Sequence, residues 1–552
     1  MSRQTSQRIV VIGAGIGGLT AAALLAHRGH SVQVFDQALV PGGCASTFKR
    51  QGFTFDVGAT QVAGLEPGGI HHRIFSELEI ELPPAVPCDP ACAVYLPGEA
   101  DPIHVWRDPQ RWQAERQRQF PDSEPFWQLL AALFQASWAF QARDPVLPPR
   151  NGWDLWQLVK AVRPGTLQTV PHVLSTVGRA LRSLGLAHDR RLKTFLDLQL
   201  KLYSQVDAEE TALLYAATAL SVSQSPQGLF HLQGSMQVLS DRLVSALERD
   251  SGKLFMRHTV EHIYTHANQA TSVLIRNQKT NELWTEPADQ IIANVTVQDL
   301  VRLLQDGEEE RRIGRQESGG NAADFTRDAE MRSVERSQGF GSEIRQRSKA
   351  QLKKLMSGYR RRVEKLPPGS GAFVIYLGVE QRAIPTDCPP HLQFLYDYDG
   401  PIAENNSLFV SVSHEGDGRA PLGQATIIAS SFTDPEIWWQ GSEGEDDRDY
   451  QALKLKYTEQ AIARLGQFFD LDGTIVYQTA ATPRTFARYT SRDRGIVGGI
   501  GQRLSTFGPF GFANRTPIRH LWLVGDSTHP GEGTAGVSYS AWTVVRQIES
   551  QS

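Results

Sequence analysis

The chain of 552 residues is too long for one small domain and predicts about two or three domains. Hydrophobic residues make up 40% and charged residues 21%, which excludes a mainly disordered or coiled-coil protein. With 56 basic and 60 acidic residues, the net charge of -4 gives no general surface for nucleic acid, so no nucleic-acid partner is expected. The four cysteines are too few for a disulfide scaffold and have no zinc-site spacing, so no metal site is predicted.

Residues 7–36 predict a strand, a helix and a second strand. The apolar run RIVVIG ends in glycine, residues 19–27 are rich in alanine and leucine, and 31–35 form the next strand. This order requires two parallel strands joined by a right-handed crossover. The sequence therefore predicts an α/β fold with a Rossmann-type domain built on a parallel sheet.

Three glycines, Gly13, Gly15 and Gly18, stand between the first strand and the helix in the pattern G-x-G-x-x-G. They allow a tight turn, close approach of the backbone to a pyrophosphate, and close packing of helix on strand. The start of the helix offers unpaired N–H groups to the phosphates. Asp36, at the end of the second strand, can accept hydrogen bonds from ribose hydroxyls. Together these features predict a dinucleotide site, a fingerprint that NAD and FAD share.

A second set of glycines favours FAD over NAD. Gly42 and Gly43 follow the second strand, where bare backbone can approach a pyrophosphate or ribitol. Near the other end of the chain, a strand leads to Asp526, which can accept from a ribitol hydroxyl, and then to a glycine-rich turn that contains Gly533. The helix that begins there directs its positive end at the flavin. FAD is therefore the predicted cofactor.

The stretch between these two sites predicts one helical section and two sets of strands. Residues 120–205 are mostly helical, whereas 228–305 and 372–431 contain short strands. The uncharged stretch 125–142 has too many polar residues for a membrane span and predicts a buried or surface helix. Residues 306–345 contain 17 charged residues and six glycines, which predicts a disordered insertion or, as the alternative, a partner-binding arm.

The predicted domains interleave along the chain. An α+β substrate-binding domain and a helical, membrane-facing subdomain are inserted between parts of the FAD-binding domain. The predicted boundaries are 1–90, 228–305 and 481–552 for the three FAD-binding parts, 91–227 for the helical substrate region, 306–345 for the insertion, and 346–480 for the second substrate part.

Several stretches resemble the carotenoid desaturase and isomerase branch of the flavin amine-oxidase superfamily. They are VVIGAGIGGLTAAALLAHRGHSVQVFD, PGG, FDVGAT, FHLQGSMQVLSDRLVSAL and VGDSTHPGEGTAGVSYSA. The last of these, with TPRTFARYTSRDRGIVGGIGQRLSTFGPFGFANRTPI, is most similar to the cyanobacterial C-3′,4′ carotenoid desaturases. The resemblance implies FAD on the glycines and acids already named, and a backbone contact from Val260 to the adenine. Cys44 departs from the pattern, because many relatives have Arg there.

The resemblance implies an FAD-dependent carotenoid desaturase of the C-3′,4′ type. Hydride would pass from the polyene end to the flavin, and a proton would leave the adjacent carbon. His529 and Glu532, in the terminal glycine-rich turn, are the candidates to accept this proton. Alternatively, His529 only orders the turn and Glu532 pairs with an arginine. A carotenoid cis–trans isomerase that uses reduced FAD stays open, and a non-enzymatic isoprenoid carrier of the GDP-dissociation-inhibitor type is a remote alternative.

The implied partners are a carotenoid substrate, a quinone or oxygen as electron acceptor, and a membrane surface. Tryptophans of the helical section are predicted to lie at the headgroup boundary, with basic residues nearby on anionic lipid. The alternative is that the tryptophans are core and the basic residues are solvated. We expect a peripheral protein on the cytoplasmic side of a membrane. The residues concerned are Trp127, Trp138, Trp153, Trp156, Arg179, Arg182, Arg190, Arg191 and Lys193.

Overall fold

The fold combines a parallel sheet with a larger mixed sheet and a helical layer. A computed structural model describes residues 6–305, 356–440 and 448–551. The predicted insertion, 306–345, lies outside the described residues. Within them, the α/β class and the Rossmann-type unit predicted from the sequence are confirmed.

The elements are numbered in chain order over the described residues. The helices are α1 (Ile16–His27), α2 (Ile70–Glu77), α3 (Pro109–Gln119), α4 (Glu124–Gln141), α5 (Gly152–Ala161), α6 (Val177–Ser183), α7 (Arg190–Ser204), α8 (Leu213–Ser221), α9 (Gln237–Arg249), α10 (Val297–Leu303), α11 (Arg448–Leu465), α12 (Pro483–Thr490) and α13 (Thr534–Glu549). A 3₁₀ segment, Pro164–His172, follows α5. The strands are β1 (Arg8–Ile12), β2 (Ser31–Asp36), β3 (Thr47–Arg50), β4 (Phe53–Asp56), β5 (Ala85–Pro87), β6 (Cys92–Tyr95), β7 (Ile103–Val105), β8 (Phe230–Leu232), β9 (Lys253–Met256), β10 (His258–His266), β11 (Gln269–Asn277), β12 (Leu283–Pro287), β13 (Gln290–Ala293), β14 (Gly371–Glu380), β15 (His391–Leu395), β16 (Ser407–Val412), β17 (Gln424–Thr433), β18 (Ile475–Ala481) and β19 (Leu521–Leu523).

Five parallel strands form the first sheet, in the order β19, β13, β1, β2, β9. β1 lies at the centre because its residues from Ile9 onward are apolar and buried on both faces. Its partners come from distant parts of the chain, since β13 begins at Gln290 and β19 at Leu521. All five strands run in one direction, so their carboxyl ends meet at one edge of the sheet, where doubly wound folds bind their ligands.

Helix α1 connects β1 to β2 and is buried from Ile16 to Ala26. Its alanines occupy little volume, so α9 and α13 pack closely against it. A helix that is apolar around its whole circumference is stable only when it is covered on all sides. α1 therefore lies inside the Rossmann-type domain, and its first turn is fixed at the carboxyl end of β1.

The second sheet has seven strands, in the order β18, β14, β17, β16, β15, β6, β7, and only β15 and β6 pair in parallel. β14 is buried over almost its whole length, as expected for an inner strand covered on both faces. One face packs on α11. On the other face, Tyr376 contacts Phe48 and Phe55 of the β3–β4 hairpin, and this face closes one side of the candidate site. Smaller antiparallel sheets are formed by β10–β12, β3–β4 and β5 with β8.

Helices α3, α4, α6, α7 and α8 share an apolar core of their own. Trp112, Trp127 and Phe195 meet in this core, where the Trp112 and Trp127 rings lie 5.6 Å apart. The prediction that Trp127 faces a membrane is wrong, because its ring fills the space between α3, α4 and α7. No helix in the described ranges is both long and apolar enough to span a membrane, α4 included.

Most of the basic residues assigned to a lipid surface are neutralised within the protein. Arg191 pairs with Glu99 at 2.6 Å, and Lys193 pairs with Asp197 at 2.7 Å. The same holds for the pairs Arg182 with Glu209 and Arg190 with Asp399, whereas Arg179 donates to the Leu174 carbonyl. A cation that already faces a carboxylate is expected to attract anionic lipid weakly, and lipid binding by these four residues stays a prediction.

A buried ionic cluster connects the two sheets. The Arg419 guanidinium, on the loop before β17, lies 3.1 Å from Asp56 Oδ2 and 2.9 Å from Asp417 Oδ2. Asp56 also accepts from the Met236 N–H at the start of α9, at 2.8 Å, and Asp417 contacts His231 at 3.2 Å. The acid of the FDVGAT motif therefore joins β4, β8 and α9 to the loop of the second sheet.

Candidate functional site

The first glycine turn is packed so closely that side chains are excluded. Gly13 has φ of +94°, a left-handed conformation that favours glycine. A Cβ on Gly18 would lie 2.1 Å from the Gly13 carbonyl oxygen, and one on Gly13 would lie 2.7 Å from the Asn294 carbonyl oxygen. The turn therefore depends on Asn294, which follows β13 and was not found from the sequence. The sequence did hold one signal for Asn294, because it is an amide residue directly after a predicted strand.

Asp36 lies beside this turn, as predicted, and helps to hold it. Its Oδ2 accepts from the Ala14 N–H at 2.6 Å, and its Oδ1 accepts from the Ala38 N–H at 2.7 Å. Burial raises the pKa of Asp36, and the two backbone hydrogen bonds oppose that effect. Each carboxylate oxygen keeps acceptor capacity after one bond, so the residue fits a ribose as well as the turn.

The second turn, at Gly42 and Gly43, lies directly against the first. The Gly42 N–H donates to the Ala14 carbonyl at 2.8 Å, and Gly42 has φ of +113°. A Cβ on Gly43 would lie 3.3 Å from the Gly15 Cα. Two bare backbone segments are thus brought together, which suits the close approach of a pyrophosphate.

Val260 lies near the other side of Asp36. Met256, the last residue of β9, is paired with Asp36 in the parallel sheet. Val260 follows four residues later in β10, an edge strand of its sheet, and is buried. This position is compatible with the adenine contact that the family resemblance implies.

The turn near the C-terminal end forms the second half of the cofactor site. Asp526 follows β19 and is buried, and α13 begins directly after Gly533, which has φ of +87°. The Asp526 carboxylate forms an ion pair with Arg492 at 2.5 Å. No side chain in the described residues caps the start of α1 or α13, so the first N–H groups of both helices are available to a ligand.

The residues present fit an FAD. Two uncapped helix starts, two adjoining glycine turns, the half-buried Asp36 and the buried Asp526 give donors for phosphates and acceptors for hydroxyls. Arg492, which was not predicted as a site residue, pairs with Asp526 and lies within electrostatic range of Cys44. A cation is therefore supplied next to Cys44 by another part of the chain. The one signal for Arg492 in the sequence was its position within residues 482–518, which resemble the carotenoid desaturases.

A large apolar cavity of about 800 Å³ is lined by the C-terminal glycine turn that contains Gly533. Its wall includes Cys44 and Gly533 and also residues of the 3₁₀ segment after α5. Trp138 lies on its wall, so only part of the predicted tryptophan set faces the surface. The apolar residues that line it include Leu158, Val162, Val170, Val173, Leu198, Leu202, Leu214, Val222, Val374, Phe409, Phe432, Phe486, Leu504 and Phe507.

The structure brings both predicted proton acceptors, His529 and Glu532, to the wall of this cavity. The His529 Nε2 is 3.1 Å from Gln141 Oε1, and burial lowers the pKa of His529 to about 4. Burial raises the pKa of Glu532 to about 8, although N–H groups of Gly499 and Gln205 bond to its carboxylate. The alternative that Glu532 pairs with an arginine is not what the described residues show, because its bonded partners are an amide and a backbone N–H.

Known proteins were compared with this chain. Residues 11–78 match the model of an NAD(P)-binding Rossmann-like domain. The chloroplastic prolycopene isomerase of Daucus carota is 25% identical over 98% of this chain and 79% of its own length. The zeta-carotene-forming phytoene desaturase of Myxococcus xanthus is 25% identical over 99% of this chain and 95% of its own length. Cyclohexylamine oxidase from Brevibacterium oxydans superposes with a TM-score of 0.57 at 14% identity, over 99% of this chain and 100% of its own.

The fold is that of the flavin amine oxidases. The comparisons support the predicted FAD cofactor and an FAD-dependent oxidoreductase or isomerase. They include both an isomerase and a desaturase at the same identity, so they support the carotenoid branch of this superfamily and not its C-3′,4′ subgroup.

Replacing Asp36 with Ala is expected to weaken FAD binding by about 1–3 kcal/mol, or roughly 5–150-fold in Kd. The variant loses the acceptor for the ribose and also the bond that holds Ala14 in the turn. Equilibrium dialysis against free FAD measures the change, with Asp399→Ala, an exposed acid, as the control. Equal Kd values for the Asp36→Ala variant and the native chain would contradict the assignment.

Proposed function

We propose that the protein is an FAD-dependent carotenoid desaturase of the C-3′,4′ type. The observation that carries this proposal is the apolar cavity that begins at Gly533 and holds space for a long hydrophobic chain. The relatives that act on carotenes, by their names, support the substrate class. The C-3′,4′ position rests on the string similarity of residues 482–518 and 527–541 alone.

The residues of this chain bind, orient and shield the substrate. Apolar walls from α4, α7, α8 and β17 exclude water, so a polyene is held by dispersion and by its own burial. Apolar groups provide most of the wall surface, which suits a hydrocarbon without functional groups. When FAD is bound, it supplies the two-electron oxidation that desaturation requires.

A carotenoid cis–trans isomerase is the second candidate, and the similarity to prolycopene isomerase favours it equally. The same cavity suits both reactions, because substrate and product have the same length and polarity. The two functions differ in electron balance, since desaturation removes two electrons from the carotenoid and isomerisation removes none.

Anaerobic mixing of the oxidised holoenzyme with lycopene or a related carotenoid separates the two functions. A desaturase is expected to lose its yellow flavin absorbance once and to recover it when a quinone or oxygen is added. Each cycle should lower the mass of the carotenoid by two hydrogens, measured by chromatography with mass spectrometry. If oxidised enzyme keeps its colour, and only pre-reduced enzyme changes the pigment at constant mass, the protein is the isomerase.

We further propose that the protein takes its substrate from the cytoplasmic side of a membrane, as a peripheral protein, through α5 and the 3₁₀ segment. Trp156 is 61% exposed, and Leu155, Val159, Leu167 and Val170 beside it in the sequence are also exposed. The inner side of the same segment lines the apolar cavity. Residues 155–181 contain basic residues and no acidic residue, which suits anionic lipid.

A further inference from the structure

Two cavities meet near the C-terminal glycine turn that contains Gly533. Beside the apolar cavity lies a second cavity of about 390 Å³. We call it the polar cavity because its wall includes Asp197 and the exposed residues Asp207 and Glu210. Lys201 and Gln205 line both cavities. The polar cavity is therefore open to solvent on the far side of a thin partition from the substrate space.

Glu532 lies on the apolar side of this partition. Among the described residues that line the apolar cavity, it is the one carboxyl group. Its Oε2 accepts from Gln205 Nε2 at 3.1 Å and from the Gly499 N–H at 3.2 Å. Both donors belong to residues that also line the polar cavity. The carboxyl is thus bonded to the partition itself and not to the apolar walls.

Gln205 is held in an unusual conformation at the centre of the partition. It follows α7 with φ of +65°, which is uncommon for a residue other than glycine. Its carbonyl oxygen accepts from Lys201 Nζ at 3.1 Å. Its side-chain Oε1 is buried and bonds to no described residue. A turned amide would present this free oxygen to a protonated Glu532, so Gln205 can serve both protonation states of the acid.

We propose that Glu532 is the catalytic residue that accepts the proton released from the carotenoid, and that Gln205 positions it for passage of the proton to the polar cavity. This inference rests on the proposed function. The C–H bond of the carbon next to the oxidised one breaks, and its electron pair becomes the new double bond. The proton forms an O–H bond with Glu532, while the other hydrogen and two electrons go to FAD, the oxidant. Solvent in the polar cavity then removes the proton.

His529 is the competing acceptor, and its surroundings argue against it. Its Nε2 is engaged by Gln141, and its Nδ1 is buried without a partner among the described residues. Neither His529 nor Gln141 lines the polar cavity. A proton placed on this ring would have no polar route out, whereas Glu532 contacts the partition directly.

The charges that face Glu532 set the direction of its pH dependence. Burial and the charge of Asp526 raise its pKa, the Gly499 and Gln205 hydrogen bonds and Arg492 lower it, and the result is about 8. Lys201 and Tyr215 are the other titratable groups that interact with it. A base must be deprotonated, so desaturation should rise with pH through about 8 and level off above that value.

Glu532→Gln tests the catalytic role, because the variant keeps the shape and loses the proton site. In the FAD-loaded protein without substrate, infrared difference spectra should show a protonated carboxyl that titrates near pH 8 in the native chain and is missing in the variant. Turnover should fall about 100-fold or more, with FAD retained, and the rising pH limb should disappear. Unchanged turnover with an unchanged pH profile would overturn the proposal.

Gln205→Met tests the positioning role and Glu209→Gln is the matched control. Loss of the Gln205 donor should raise the pKa of Glu532. Turnover should therefore still rise with pH, but the rise should occur at higher pH than in the native chain. Glu209 is exposed, pairs with Arg182 and lines neither cavity, so its variant should keep the native profile. An unmoved limb in Gln205→Met would overturn the positioning role. If the native chain isomerises and loses rate as pH rises through about 8, and Glu532→Gln abolishes that limb, Glu532 handles the proton but the desaturase function fails.

Discussion

Replacing Arg419 with Met is expected to lower the free energy of unfolding by about 3–5 kcal/mol. The guanidinium is 2% exposed and contacts two buried carboxylates, Asp56 and Asp417. Removing it leaves both acids without their cation, in a site that water does not reach. Urea unfolding followed by circular dichroism measures the loss.

Arg190→Met is the matched control for this prediction. Arg190 and Asp399 form an ion pair in which the two side chains are 61% and 85% exposed. An exposed pair contributes about 0–1 kcal/mol, so the control should unfold close to the native midpoint. Equal midpoints for the two Arg variants would show that the buried cluster does not stabilise the fold.

The pH dependence of stability gives a second measure of the Asp417 part of this cluster. Burial raises the pKa of Asp417, but contacts with His231 and Arg419 outweigh that effect and lower it from 3.8 to about 2. A carboxyl with a lowered folded pKa stabilises the fold above its unfolded pKa. Its contribution is therefore present above about pH 4 and is lost as pH falls towards 2. The Arg419→Met variant should show a weaker loss over this range.

The cluster also matters for the site, because Asp56 ends the strand that leads into it. Tyr376 donates to the Val57 carbonyl at 2.7 Å, and the next residues, Gly58 and Ala59, line the apolar cavity. The FDVGAT motif therefore acts through its backbone, which Asp56 and Tyr376 hold in place. We expect variants of Arg419 to retain FAD less well even where they still fold.

The cofactor half of the site could be predicted from the sequence because its signals are local. The glycines from Gly13 to Gly18 and the acid at Asp36 lie within one strand, helix and strand unit, whose geometry follows from chain order. The terminal turn before α13 was recognised for the same reason. In these segments the backbone conformation, the close packing and the approach of a ligand all require glycine at the same positions.

The contacts between distant segments could not be predicted in this way. Gln205 and Glu532 are separated by 327 positions. Glu532 was predicted from its turn, but nothing in either stretch indicated that Gln205 is its partner. Arg492 was unremarkable until the fold placed it against Asp526. Trp127 and Trp156 both stand in helices, but only packing against α3 and α7 shows that the first is core and the second is exposed.

The triple variant Leu155→Ser, Trp156→Ser, Val159→Ser is expected to weaken binding to liposomes about 100-fold. These side chains are about half exposed in the free protein, so each should contribute about 1 kcal/mol when a lipid surface covers it. Together the loss is about 3 kcal/mol. Flotation with vesicles of mixed neutral and anionic lipid measures the binding, and retained flavin absorbance shows that the variant is folded.

Charge should add to this apolar contact. Lys160 and Arg163 lie on the same segment, and each basic residue near anionic lipid contributes about 1 kcal/mol. Salt at about 0.5 M should therefore weaken binding of the native chain and of the triple variant alike. Leu422→Ser is the control for apolar exposure, because Leu422 is 99% exposed but stands in the turn before β17. Its variant should bind as the native chain does. If the triple variant also floats like the native chain, the entrance is elsewhere, and the cavity must receive its substrate through another wall.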